Sequence, residues 1–257
     1  MKVQLLLCML IGLAFADDAD QRSLISSEEI ALTKTIRSAD HAATFHFHAS
    51  LSDHEIDFVV KDLELLASIP DYGASTPLHR HFFQGPVSGN VYLTWLARRI
   101  DGFKRTSKRT YAAYVRGRDQ KPGKTHSDIF LSNAYFSTKD QALRMSILLH
   151  EGRHVDGFKH ARCRNKKVSY VSFDPISGIF RTKTRILRGL RCDDNAIGPY
   201  GAQAVFYFNY LRAHKYQGGH AFSPDERTLM DIYFFARILD ERAVSGLSDD
   251  LLSPLDP

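Results

Sequence analysis

The sequence predicts an α+β fold: a small sheet with an edge strand, a long helix directly after it, and a helical C-terminal part. Three observations carry this reading. A run rich in β-formers, Ser127 to Phe136, passes at once into a capped apolar helix over residues 138–156. Two further β-rich runs flank the turn sequence Asp174-Pro-Ile-Ser-Gly178 and read as a hairpin. Helical patterning then dominates from Pro199 onwards.

The chain of 257 residues opens with one lysine, an apolar run from Val3 to Phe15 and the small-x-small triplet Ala14-Phe15-Ala16. This is the pattern of a secretory signal peptide over residues 1–16. The run is too short to span a bilayer, and acidic residues follow immediately. Cys8 lies well inside the run, not at the cleavage point that a lipid-anchored cysteine would occupy. The expected product is secreted or periplasmic, with no stable membrane insertion. Cleavage removes only Lys2 among the charged residues and takes the net charge from +5 to +4. So mild an excess is that of a solvated surface and gives no argument for a nucleic-acid partner.

Cys163 and Cys192 are then the only cysteines. In an exported chain they form a disulfide, which would stabilise the fold by about 3.5 kcal/mol in the chain-entropy model. Thiolate zinc ligation competes poorly, because the two lie far apart and no C-x-x-C pair exists.

Residues 17–90 read as a mainly helical N-terminal region, either a packing subdomain or a removable pro-segment. Helix-like stretches surround Ser27 to Ile36. In residues 51–71, Ser52 and Glu55 form a capping box, Ile56, Val59, Val60, Leu63 and Leu66 make an apolar face, and Pro70 ends the helix. A loop rich in Pro and Gly leads to a helix from Val91 to Ile100. Residues 102–126 are dense in Lys and Arg, a solvated and partly edge-facing segment, interrupted by an apolar strand from Tyr111 to Val115.

In the helix over 138–156, Thr138 and Gln141 form the capping box, Asp140 suits the N-terminus, and Leu143, Ile147 and Leu148 supply the apolar stripe. Pro199 sits in the first turn of a later helix. Ser223 to Glu226 cap a last helix running through Ala243, and residues 246–257 form an acidic, fraying tail.

The chemistry concentrates at His150-Glu151-Gly152-Arg153-His154, an H-E-x-x-H run. Residues four apart on a helix share a face, so both imidazoles can reach one ion. Zn2+ suits neutral imidazole, and a catalytic zinc usually takes three protein ligands. Such an ion brings a water's pKa towards about 7, and Glu151 is placed to take its proton. His160 follows Gly157 and is the candidate third ligand, with Glu241 on a later helix and Asp156 as alternatives. On a continuous helix His160 would point about 240° away from His154, so the chain must turn at Gly157, with the positive φ that glycine tolerates. Random placement of these residue types gives about 0.015 expected short motifs but only about 4 in 100,000 of the extended form, so the full run is specific.

The run resembles the H-E-x-x-H-x-x-G-x-x-H signature of the metzincin group of zinc peptidases over about thirty residues of strand, helix and turn. The resemblance implies a zincin-like catalytic domain over residues 91–245, with a strand at 127–136 lining the substrate cleft. It implies zinc on His150, His154 and His160, Glu151 as general base, and a peptide or protein substrate. One departure stands out: these peptidases carry a methionine turn beneath the metal, and the only downstream methionine, Met230, lies in a stretch that reads as helix.

Tyr200 is a candidate oxyanion stabiliser, with Tyr207 and Arg153 behind it. The pairs His46/His48 and His79/His81 read as plain exposed faces. Lys159, Arg162, Arg164, Lys166 and Lys167 form either a solvated loop or a preference for acidic substrates. The expected function is an exported zinc metallopeptidase. A zinc amidase acting on cell-wall peptides and a non-catalytic zinc-binding protein are the rivals.

Overall fold

Alternating aromatic and β-branched residues build the central sheet of this computed structural model, which describes residues 30–108, 111–115, 127–163, 167–174, 179–186, 190–216, 223, 226 and 230–253. Strands β1 (Ile30–Arg37) and β2 (Ala42–His48) pair antiparallel, with Thr35 and Thr44 joined side chain to side chain at 3.1 Å. β2 runs parallel to β3 (Ile100–Arg105), and β3 runs parallel to β5 (Ser127–Leu131). β4 (Ala113–Val115) lies antiparallel to β5 at the far edge, so the order is β1-β2-β3-β5-β4. Phe45, Phe47 and Phe103 are fully buried on one face and pack ring on ring. Burying each contributes roughly 2–3 kcal/mol.

The parallel step from β2 to β3 needs a crossover, which α1 (Asp53–Ala67), α2 (Pro77–Phe83) and α3 (Gly89–Ala97) provide. The Ser52/Glu55 capping box starts α1 as the pattern predicts. After β5 come the short α4 (Asn133–Ser137) and the central helix α5 (Gln141–Val155). From Ala142 to Gly152 every residue of α5 is buried, because α1 and α3 cover one side and α6 (Pro199–Tyr216) the other. Gly152 is required there: a Cβ would sit 2.7 Å from the Trp95 ring of α3. Two ribbons complete the sheet structure, β6 (Ala161–Arg162) with β9 (Arg191–Cys192), and the hairpin β7 (Lys167–Asp174) with β8 (Ile179–Ile186). A π-helical turn (Met230–Phe234), a 3-10 turn (Phe235–Arg237) and α7 (Glu241–Leu252) end the described chain.

The fold is therefore mixed α+β, with a small mixed sheet and seven α-helices among the described residues. Among them no helix is long and apolar enough to cross a membrane, and the signal peptide read at residues 1–16 lies outside them. Cys163 and Cys192 form the expected disulfide.

Several expectations are corrected. The helix-like stretch at 27–36 is strand from Ile30, since its β-branched threonines find cross-strand partners in β2. The described part of residues 17–90 still holds more helix than strand, in α1, α2 and the start of α3. It also supplies two strands of the common sheet, and one core runs from Ile36 to Leu251 across the division expected at residue 90. The strand read as 127–136 stops at Leu131, where Ser132 caps α4 by accepting from the Ala134 N–H. The cap of α5 is Asp140, not Thr138, whose hydroxyl donates to the Ala134 carbonyl instead.

The Ser223/Glu226 capping box forms, but the last helix does not run through: the chain breaks at Ile238, which bridges to Asp193. The tail expected from residue 246 is helical to Leu252, with Asp240 as N-cap and Leu247 and Leu251 fully buried one turn apart. Arg212 of α6 seals its end by donating to the Leu251 and Ser253 carbonyls. Met230 is a buried core residue.

Two histidines expected on exposed faces are buried. His48 lies 3.5 Å from Asp128. His79 donates to the Gly85 carbonyl through Nδ1 and accepts from the Tyr92 hydroxyl at Nε2, at 3.1 and 2.6 Å. Burial pushes His79 down to about 3 from the ordinary 6.5. The unfolded chain then binds a proton that the folded chain refuses, so stability is complete above about pH 6.5 and falls as pH drops towards 3. His79→Gln should flatten the pH dependence of urea unfolding between pH 6.5 and 4.

Asp62 of α1 is fully buried and fully answered: Arg144 of α5 grips both its oxygens at 2.7 Å, and the Tyr135 hydroxyl donates at 2.8 Å. Asp62→Ala strands the Arg144 cation and should cost about 3–5 kcal/mol in chemical denaturation.

Candidate metal centre

α5 ends at Val155, and Gly157 takes the positive φ, 90°, that its place after the helix requires. A Cβ there would meet nothing, so the demand on glycine is purely conformational. The chain turns back, and His160 returns to the end of the helix it has just left. Its Nε2 lies 3.1 Å from Nε2 of His150 and 3.1 Å from Nε2 of His154. The three side chains form one cluster able to hold a metal ion.

The hydrogen bonds on the far side of each ring fix which nitrogen is protonated. Ser146 donates to the Leu143 carbonyl at 2.6 Å, so its oxygen accepts from Gln203 Nε2 at 3.1 Å. That orients the Gln203 amide, whose Oε1 takes the Nδ1–H of His150 at 3.1 Å. The Nδ1–H of His154 goes to the Phe158 carbonyl at 2.6 Å, and that of His160 goes to Asp193 Oδ1 at 2.8 Å. When the rings are neutral, all three Nε2 atoms are therefore lone pairs facing one another. Charging His150 and His154 is also disfavoured. Burial, then His160 and His154, hold His150 well below its usual range, and burial with His160 holds His154 near about 4.

Asp193 is placed by backbone. In the β6–β9 ribbon Ala161 pairs with Cys192, so the next residues outward, His160 and Asp193, come opposite each other. The Cys163–Cys192 disulfide holds this ribbon, and the Asp193 N–H and carbonyl bond Arg237 and Leu239. Its second oxygen accepts the Tyr200 N–H at 2.6 Å at the start of α6. Burial pushes the Asp193 carboxyl up, while the His160 N–H and the Tyr200 and Gly201 amides favour its charge.

Glu151, one residue from the first ligand, is buried, and its Oε2 has no hydrogen-bond partner. Burial raises it to about 8, with the Val115 N–H of β4 working against the rise. The Tyr200 ring packs 4.8 Å from the rings of both His150 and His160. Burial pushes its phenol up, Arg237 opposes, and Tyr233, Asp193 and Glu151 add to the rise.

The other candidates lie elsewhere. Glu241 is exposed at the first turn of α7, and Asp156 pairs with Arg99 and Arg153. Arg153 is also held by the Ile197 carbonyl, and Tyr207 donates to Asp140 at the opposite end of α5. His46 bonds Thr33. Lys159 and Arg162 flank His160, whereas Arg164 and Lys166 lie outside the described residues. The strand expected to line the cleft, β5, is internal. β4 is the edge strand beside α5, because the order of strands depends on pairing that a linear pattern does not carry.

Gln203, Asp193 and Arg237 were not legible as site residues. Only Asp193 left a signal, as the neighbour of Cys192: the 163–192 disulfide brings its segment alongside that of His160, while the pairing of Ala161 with Cys192 sets residue 193 opposite residue 160. Asp193→Ala, which frees the His160 ring, should weaken zinc affinity about 10- to 100-fold in a chelator competition. Unchanged affinity would show that the carboxylate does not support the ligand.

Comparison with family models, with curated proteins and with solved structures found no match to this chain, so the cluster of three histidines stands on its own geometry.

Proposed function

We propose that this chain is an exported zinc-dependent hydrolase of amide bonds, a zincin-like metallopeptidase acting on peptides or proteins. The observation that carries the reading is the set of three histidine Nε2 atoms turned towards one point, each ring bonded through Nδ1 to an acceptor. With the His160 nitrogen 3.1 Å from each of the other two, lone pairs of neutral rings repel unless a cation lies among them, and borderline-soft Zn2+ is the ion that neutral imidazole favours. His150, His154 and His160 would hold it. Among the described residues no fourth side-chain ligand joins the cluster, which suits a catalytic rather than a closed structural set. Bound there, zinc would supply a Lewis acid that lets water ionise near neutral pH.

The protein's own groups do the rest. Glu151 presents an unpartnered oxygen and takes the proton of the attacking water as the new C–O bond forms. It then returns that proton to the leaving amine nitrogen as the C–N bond breaks. Burial holds its carboxyl up at about 8, and a divalent cation on the three histidines would favour its ionised form. A purely structural site would have no use for a buried, unsatisfied carboxylate at this position, since it costs about 1–3 kcal/mol or more. Tyr200 accepts from Arg237 at 3.2 Å, which leaves its own O–H free to donate to a developing oxyanion. The disulfide fits an oxidising, extracytoplasmic compartment.

Glu151→Gln should keep stoichiometric zinc and lose at least about 100-fold in peptide hydrolysis. Turnover retained in that variant would remove Glu151 from the chemistry. His160→Ala should lose zinc on dialysis where the parent protein keeps it, read by elemental analysis.

A further inference from the structure

Arg237 differs from four arginines that are held by carboxylates. Arg99 and Arg153 share Asp156, Arg105 pairs with Glu55, and Arg144 pairs with Asp62. Arg237 is half-buried, yet among the described residues no carboxylate lies within ion-pair distance of it. A partly desolvated cation ordinarily has such a partner.

Its position is nevertheless fixed. Nη1 donates to the Arg191 carbonyl at 3.0 Å and to the Tyr200 hydroxyl at 3.2 Å. The guanidinium carbon lies 5.3 Å from the Tyr200 ring and 6.0 Å from the Tyr233 ring. The Arg237 carbonyl accepts the Asp193 N–H at 2.7 Å, which ties this residue to the carboxylate that holds His160. Nε and Nη2 have no protein acceptor among the described residues, and neither is sealed from solvent as an unsatisfied buried atom. The free edge of the guanidinium is thus a rigid two-pronged donor beside the histidine cluster, and that fork matches the two oxygens of a carboxylate. The Asp193 carboxylate is already spent on His160 and Tyr200.

We propose that Arg237 is the carboxylate-recognition residue of this site, so that the substrate presents a carboxylate, C-terminal or on an acidic side chain, beside the scissile bond. The assignment deepens the peptidase reading and rests on it for the word substrate. The recognition itself is a property of Arg237 and can be measured without turnover. Tyr200 packs on two of the histidines and carries the guanidinium at its hydroxyl, which places the carboxylate one subsite away from the reacting atoms rather than on the metal.

The test is calorimetric binding to the full chain carrying Glu151→Gln, both zinc-loaded and metal-free. The probes are N-acetyl-trialanine, its C-terminal amide, and the amide with aspartate as the middle residue. The zinc-loaded protein should bind one of the two carboxylate probes about 10-fold or more tighter than the uncharged amide. Preference for the free C-terminus or for the aspartate decides the source of the carboxylate. Arg237→Gln should erase the preference while zinc content stays unchanged, and Arg237→Lys should restore only part of it, because an ammonium lacks the fork. Equal binding of charged and uncharged probes, no binding of any, or a preference that survives Arg237→Gln would overturn the assignment. Failure of the metal reading shows separately: a parent protein that takes up no stoichiometric zinc, with the carboxylate preference still present in the metal-free protein.

Discussion

Three imidazole nitrogens face one another at the end of α5, and the surrounding structure is arranged to turn their lone pairs inwards. Each ring spends its Nδ1–H on a fixed acceptor: the amide of Gln203, the carbonyl of Phe158 or the carboxylate of Asp193. Were any of these acceptors a donor instead, the corresponding Nε2 would carry the hydrogen and the convergence would be lost. The tautomers are therefore a consequence of tertiary contacts. They begin as far away as the hydroxyl of Ser146, which decides how Gln203 is turned.

Asp193 links this local chemistry to the rest of the molecule. One carboxylate holds the third imidazole and the first turn of α6, while its own backbone bridges the chain around Ile238. The disulfide at the adjacent Cys192 keeps the β6–β9 ribbon in register. A covalent cross-link, a ribbon of two short strands and a buried carboxylate thus act on the same residue.

The two ends of α5 have different duties. Its first turns are anchored by apolar burial and by the ion pair between Arg144 and Asp62, with Asp140 as cap. Its last turn carries polar groups that the core would otherwise exclude, Glu151 among them with an oxygen left unanswered. A helix buried on all sides tolerates such a terminus only if neighbouring elements supply partners for the ligand rings. α6 does so through Gln203 and through the ring of Tyr200.

The local features were legible in the sequence because they depend on near neighbours along the chain. The Ser52/Glu55 cap, the hairpin of residues 167–186, the disulfide, the H-E-x-x-H face and the turn at Gly157 all follow from spacing and from the chemistry of single residues. Where a local signal has a close competitor, it misleads: the pattern points to Thr138 as the cap that Asp140 supplies, and to a helix end and a tail where residues 241–252 form one helix. The π-helical and 3-10 turns before them break the period that such readings rely on. Tertiary structure alone decided the strand order, the burial of His79 and His48, and the identity of the second ring of residues around the histidines. Those outcomes rest on contacts between segments dozens of residues apart. A pattern along the chain says which residues share a face, but not what that face will meet.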